Sequence, residues 1–170
     1  MIIFLRHGQA ENNTKKILAG RTPGINLTED GKKQAEQAGE MIKSLNVSAI
    51  YSSPIDRAMQ TAEIVGKHCG VKPISDDRLI ELDMGKFTMV PYDEIFKKHG
   101  NVFLKFYEGS LEISHNGVES FSEVQKRVFD IVDFVKNKHK GENVVLVTHM
   151  DPIKAMIGKV LSLKPEILFQ

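Results

Sequence analysis

The chain has 170 residues, 41% of them hydrophobic and 26% charged, with a formal net charge of +1. That is enough apolar material for one domain spanning 1–170, and the interspersed signs without a basic stripe exclude nucleic acid and membrane surfaces as main partners. A lone Cys69 excludes an intrachain disulfide framework and suits a reducing compartment. With no basic leader and no apolar run of bilayer length, the expected location is the cytoplasm.

Short β-branched runs alternate with longer stretches at helical spacing, which predicts an α/β fold: three layers, α/β/α, about a mostly parallel central sheet. Ile2 to Leu5 is the first strand, with Arg6-His7-Gly8 directly behind it. Thr28 reads as a helix N-cap, with Glu29 and Asp30 in the first turn and Ala35, Ala38, Met41, Ile42 and Leu45 on the inner face. A second strand covers about Ala49 to Tyr51. The next helix is expected to open with Ser53 as cap and Pro54 at its first position, burying Ile55, Ala58, Met59, Ala62 and Val65. Val71 to Ile74 is a third candidate strand.

From Met84 to Glu119 the alternation breaks. Phe87, Tyr92, Phe96, Phe103, Phe106 and Tyr107 make 84–119 a cap segment, its rings packing it down or touching a ligand. Ser120 and Glu123 form a capping box ahead of Phe121, Val124, Val128, Ile131, Val132 and Val135. Val144 to Val147 is the clearest strand. Asp151 and Pro152 then start a last helix carrying Ile153, Met156, Ile157, Val160 and Leu161.

His7, Arg57 and His149 all fall just after strands, so a parallel sheet gathers them at one carboxyl edge, where open α/β sheets bind small ligands. Glu81, a few residues past the third strand, can join them. Arginine offers a planar donor fork to phosphate, and Gly8 lets an anion approach the main chain. Arg57, at a helix start where a cation is otherwise unfavourable, implies an anionic partner. Arg6, Arg57 and a protonated imidazole would neutralise a phosphate dianion, the other imidazole would attack phosphorus, and a carboxylic acid would protonate the departing oxygen. Arginine charge should keep the crowded ring neutral, and His7 is the ring chosen as nucleophile. Glu11, Asp83 and Glu119 are alternative acids. His149 with Asp151 lacks a third ligand nearby, so no metal site is expected. His68, His99, His115 and His139 read as solvated.

These residues also carry a family resemblance. Arg6-His7-Gly8 with Asn13, Leu27-Thr28 with Gly31, Gln34 and Ala35, Ser52-Ser53-Pro54 with Arg57-Ala58 and Gln60-Thr61-Ala62, then Leu79, Glu81 and Gly85, and Thr148-His149, come in that order. Together they resemble the motifs of the histidine phosphatase superfamily, which contains the cofactor-dependent phosphoglycerate mutases. The resemblance implies that His7 is phosphorylated, that Arg6, Arg57 and His149 form the phosphate pocket with Asn13 as a further contact, and that Glu81 donates the proton. It implies neither metal nor nucleotide. Gly20 and Arg21 resemble a segment bordering the pocket, where Arg21 could bind a second anionic group, and Glu119 resembles a pocket-lining segment. Ala10 stands where a hydroxyl residue is common, Met89 replaces a glycine, and Met150-Asp151-Pro152 follows His149 where glycines are frequent. Members often continue into a further strand after the last helix, whereas this sequence stops at Gln170.

Three functions remain open on this reading. The favoured one is a phosphomonoester phosphatase acting through phosphohistidine on a small phosphorylated metabolite, because the insertion before the last helices is short for a mutase. The second is a phosphoglycerate mutase, primed by 2,3-bisphosphoglycerate; only that case needs a cofactor. The third is a non-catalytic phospho-ligand-binding module. An apolar edge strand or the aromatic cap could support a homodimer.

Overall fold

The computed structural model describes residues 1–108 and 115–169. Among them, β1 (Ile2–Arg6), β2 (Val47–Ser52), β3 (Ile74–Ser75) and β4 (Asn143–Thr148) form one parallel sheet in the order β1-β4-β2-β3. The helices are α1 (Glu11–Thr14), α2 (Glu29–Ile42), α3 (Asp56–Cys69), α4 (Tyr92–His99), α5 (Val102–Tyr107), α6 (Phe121–Lys138), α7 (Met150–Val160) and α8 (Pro165–Phe169).

β4 lies between β1 and β2, and Val144, Val145, Leu146 and Val147 are each no more than 1% exposed. Such a run suits a strand covered on both faces, since successive side chains point to opposite sides. Val145 and Val147 pack with Ile50 under Ala58, Ala62 and Val65 of α3 and Ile42 of α2. Val144 and Leu146 pack the other way, against Ile131, Val132 and Val135 of α6. The three expected layers follow from that alternation.

Register positions the site. Arg6 pairs with Thr148 and Ser52 with Val147, so β1, β4 and β2 end side by side. The ladder runs on for one bond each way: His7 N donates to Thr148 O at 3.0 Å and Ser53 N to Val147 O at 3.0 Å.

Several boundaries differ from the sequence reading. The third strand is only Ile74–Ser75, because Pro73 has no N–H to give a ladder. α3 starts at Asp56 with Ile55 as N-cap; the Ser53 hydroxyl accepts from Ile55 N at 3.3 Å and also meets His149, which leaves Pro54 in the turn before the helix. Met41 is 78% exposed, as Ala35, Gly39 and Ile42 make the inward stripe of α2. In α7 the buried stripe is Asp151, Ala155 and Gly158, whereas Ile157 and Val160 are exposed. Gly158 is small because Leu168 packs on it: a Cβ there would meet Leu168 Cδ1 at 2.8 Å.

The segment from Met84 to Glu119, of which 109–114 lie outside the described residues, folds as a 3-10 turn (Gly85–Phe87) followed by α4 and α5. Phe87, Ile95, Val102 and Phe106 anchor it to Val124 and Val128 of α6 in a separate apolar cluster. Phe96 is 43% exposed and does not reach the cavity, its ring lying against Phe103 at 6.5 Å between centroids.

Candidate active site

At the carboxyl ends of β1, β2 and β4 lies a cavity of about 210 Å³ that reaches Arg6, His7, Asn13, Gly20, Arg57 and Glu81. His7 is 8% exposed. Its Nδ1 lies 2.7 Å from Gly8 O, and Arg57 Nε donates to its Nε2 at 3.2 Å. A guanidinium can only donate, so Nε2 is the lone-pair nitrogen and Nδ1 carries the proton. Burial lowers the pKa of this ring to about 3; the Gly8 carbonyl pulls it upward and the charges of Arg57 and Arg6 add to the lowering. The neutral ring expected from arginine crowding is therefore mainly a consequence of desolvation.

Arg57 enters in the first turn of α3 and is 2% exposed. Nη2 donates to Gly20 O at 2.8 Å, and Nη1 is buried with no partner among the described residues. An unspent donor on a buried arginine beside a cavity suits an anion, since leaving such a donor unmatched is unfavourable. Gly20 thus contributes its carbonyl as a brace for Arg57, from a left-handed φ of +51° that glycine adopts without strain. The Arg6 side chain lines the same cavity and makes no hydrogen bond among the described residues. Asn13 lines it as well; its Oδ1 accepts from Ala10 N at 2.8 Å, leaving its amino group for a ligand.

His149 is 0% exposed and stacks edge-on behind His7, with ring centroids 5.1 Å apart. Its Nε2 meets Ser53 Oγ at 2.8 Å, and its Nδ1 is a second buried atom without a partner among the described residues. Burial first, then Arg57, push its pKa well below the ordinary value. Both imidazoles are therefore neutral here; the protonated partner expected from the sequence would need the phosphate's own charge to form.

Glu81 lines the cavity with 8% exposure, its Oε1 accepting from Leu82 N at 2.9 Å. Burial and the nearby Asp151 carboxylate raise its pKa, more than Arg57 and Arg127 lower it. Such a carboxyl keeps its proton near neutrality, as a general acid must.

The structure does not put four candidates at the cavity in the expected way, and the first is His149, which is buried behind His7 and does not line that cavity. Gly8 N donates to Thr61 Oγ1 at 3.1 Å and is not open to an anion; the missing side chain serves packing, since a Cβ would sit 2.3 Å from Gly31 O at the start of α2. Arg21 turns inward, Nε to Glu81 O and Nη2 to Glu119 at 2.8 Å each, with Asp83 at 3.5 Å. Glu119 is held by Arg21 on one side and by Arg127 Nε at 2.9 Å on the other, so it is an ion-paired strut and no rival acid. Arg127 also donates to Arg78 O and Ile80 O, and Thr148 Oγ1 to Leu79 O. Consecutive carbonyls leading to Glu81 are gripped in this way. Sequence reading missed Arg127, whose helical position in α6 looks like any surface arginine. It also missed Asp151 and Lys154 as cavity residues, whereas Tyr92, Phe103 and Tyr107 of the expected cap aromatics do reach the cavity. Of the histidines read as solvated, His68 pairs with Glu36 and Glu40, and His139 bridges Tyr51 and Glu142. Among the described residues no three His, Cys, Asp or Glu side chains converge to hold a metal ion.

Comparison with known proteins defines the class. Residues 2–170 match the histidine phosphatase superfamily (branch 1), and the chain belongs to it, a family of metal-independent enzymes with a phosphoglycerate mutase-like α/β fold. Among similar relatives, phosphoserine phosphatase 1 of Hydrogenobacter thermophilus is 31% identical over 163 residues, covering 94% of this chain and 75% of that one. The 2,3-bisphosphoglycerate-dependent phosphoglycerate mutase of Thermoplasma acidophilum is 35% identical over 166 residues, covering 96% and 78%. The solved structure of Bacillus stearothermophilus YhfR aligns with a TM-score of 0.89 at 28% identity, over 99% of this chain and 83% of that chain.

Proposed function

We propose that this enzyme is a phosphomonoester phosphatase that works through a phosphohistidine at His7 on small phosphorylated metabolites. The observation that carries the reading is that the lone-pair nitrogen of His7, the unpartnered Nη1 of Arg57 and the protonated carboxyl of Glu81 belong to one small cavity. Arg6, Arg57 and the Asn13 amino group take the phosphate oxygens, and His149, packed edge-on against His7, holds that ring in place. Nε2 of His7 attacks phosphorus as the P–O bond to the leaving group breaks, and the Glu81 proton passes to that oxygen. Water then attacks the phosphohistidine, Glu81 takes its proton, the P–N bond breaks and inorganic phosphate leaves. No step asks for a metal. The segment 84–119 acts as the cap over this cavity, with Tyr92, Phe103 and Tyr107 on the leaving-group side.

The mutase reading is kept because a mutase stands among the relatives. A short incubation with a 32P-labelled ester should yield acid-labile label on the wild type and none on His7→Ala, whose turnover should fall by at least about 10⁴-fold. Label that survives the substitution would refute the assignment. With 3-phosphoglycerate, with and without 2,3-bisphosphoglycerate, free phosphate should exceed isomer; rapid isomerisation with little phosphate release would make it a mutase.

A further inference from the structure

On the leaving-group side of the cavity stand two charged side chains that the chemistry above does not use. Asp151 and Lys154 lie three residues apart in the first turns of α7, hence on one helix face, and both line the cavity. Asp151 is 5% exposed, and Tyr107 donates its hydroxyl to Oδ1 at 2.6 Å. Lys154 lies over the Tyr107 ring, with Nζ 5.4 Å from the centroid. Neither forms an ion pair within 4.0 Å with any described residue, nor with the other. A buried carboxylate has about four acceptor sites, and one hydrogen bond leaves most of them unmet. Burial pushes the Asp151 carboxyl up and the Lys154 ammonium down, each towards its uncharged form, and the charge of the other opposes the shift; an acid and an amine without an ion-pair partner on one wall suit a ligand that brings both signs itself.

Resting on the phosphatase reading, we propose that Asp151 and Lys154 form the leaving-group subsite and select a zwitterion: Asp151 takes a protonated amine, Lys154 a carboxylate, of a phosphorylated hydroxy amino acid. Charge balance argues the same way. With a ligand ammonium holding Asp151 ionised, Arg6, Arg57 and Lys154 face that carboxylate and a phosphate dianion, so a leaving group of zero net charge needs no further counter-ion. A purely anionic one would bring a carboxylate up to Asp151. The volume of about 210 Å³ leaves room for only a few atoms beyond the phosphate.

The test compares kcat/KM for O-phosphoserine, phosphoethanolamine, 3-phosphoglycerate and glycerol 1-phosphate in the wild type, Asp151→Asn and Lys154→Met. The wild type should prefer O-phosphoserine over glycerol 1-phosphate by at least about tenfold, since a site built for a charged donor rejects analogues lacking it. Asp151→Asn should collapse the preference for the two amine-bearing esters, and Lys154→Met that for O-phosphoserine over phosphoethanolamine. Equal turnover of all four by the wild type, a preference for 3-phosphoglycerate, or an unchanged amine preference in Asp151→Asn would overturn the subsite while leaving phosphatase action standing. Absence of both hydrolysis and histidine labelling would overturn the phosphatase reading, and the subsite with it.

Discussion

The same loss of hydration acts oppositely on the two groups that share the proton chemistry. A ring that is neutral once it has lost its extra proton is held in that form, and an acid that is neutral when protonated is held protonated. His7 and Glu81 thus acquire complementary states from one cause. Glu81→Gln should lose about 10²- to 10⁴-fold on alkyl phosphates, which need the proton, and much less on nitrophenyl phosphate, which does not. Because burial raises the pKa of Glu81, kcat/KM for alkyl esters in the wild type should fall as pH rises through that value, the acid giving up its proton to solvent. The Gln variant should lack that alkaline limb; a uniform loss with the limb retained would assign the proton to another group. At this scale the sequence announced the reacting atoms, because Arg6-His7-Gly8 and Thr148-His149 sit directly behind strong strand patterns. It did not announce which hydrogen bonds spend which donors. Gly8 and Arg21 were read as ligand contacts, and only coordinates reveal that Thr61 and Glu119 already hold them.

Between elements, the acid loop is tied down by a bridge from α6. Glu119 sits between Arg21 and Arg127, and the two arginines also hold the carbonyls of Glu81, Ile80 and Arg78. With side-chain exposures of 14% on both Arg127 and Glu119, their pair is sheltered from solvent screening. Removing Arg127 leaves two carbonyls without their donor and Glu119 with Arg21 alone, so Arg127→Met should destabilise the fold by about 2 kcal/mol in urea unfolding. A change under about 0.5 kcal/mol would show the bridge to be ornamental, the level expected of a surface pair. Helices were legible wherever a cap and an apolar stripe agreed, as at Thr28 and at Ser120 with Glu123. They were misjudged where the inward face is made of small residues: in α7, Ala155 and Gly158 face inward and larger side chains do not. Periodicity of bulk cannot see a stripe of that kind.

For the molecule as a whole, the layer order was readable because Val144 to Val147 must be buried on both sides. The brevity of β3 was not, since Val71 to Ile74 looks like a strand until Pro73 is placed against a neighbour. Strand register carries a consequence for how the enzyme fails. His7, Arg57 and His149 are contributed by chain segments up to 142 residues apart, and they meet because three strands, joined by two ladders, end level with one another. A slip in either ladder dissolves the constellation, whereas fraying elsewhere does not. Catalytic loss and the collapse of far-ultraviolet ellipticity should therefore share one midpoint in a urea titration. Inactivation well before the optical transition would mean that the phosphate-handling groups come apart while the sandwich persists, and turnover would cease to be a faithful gauge of nativeness.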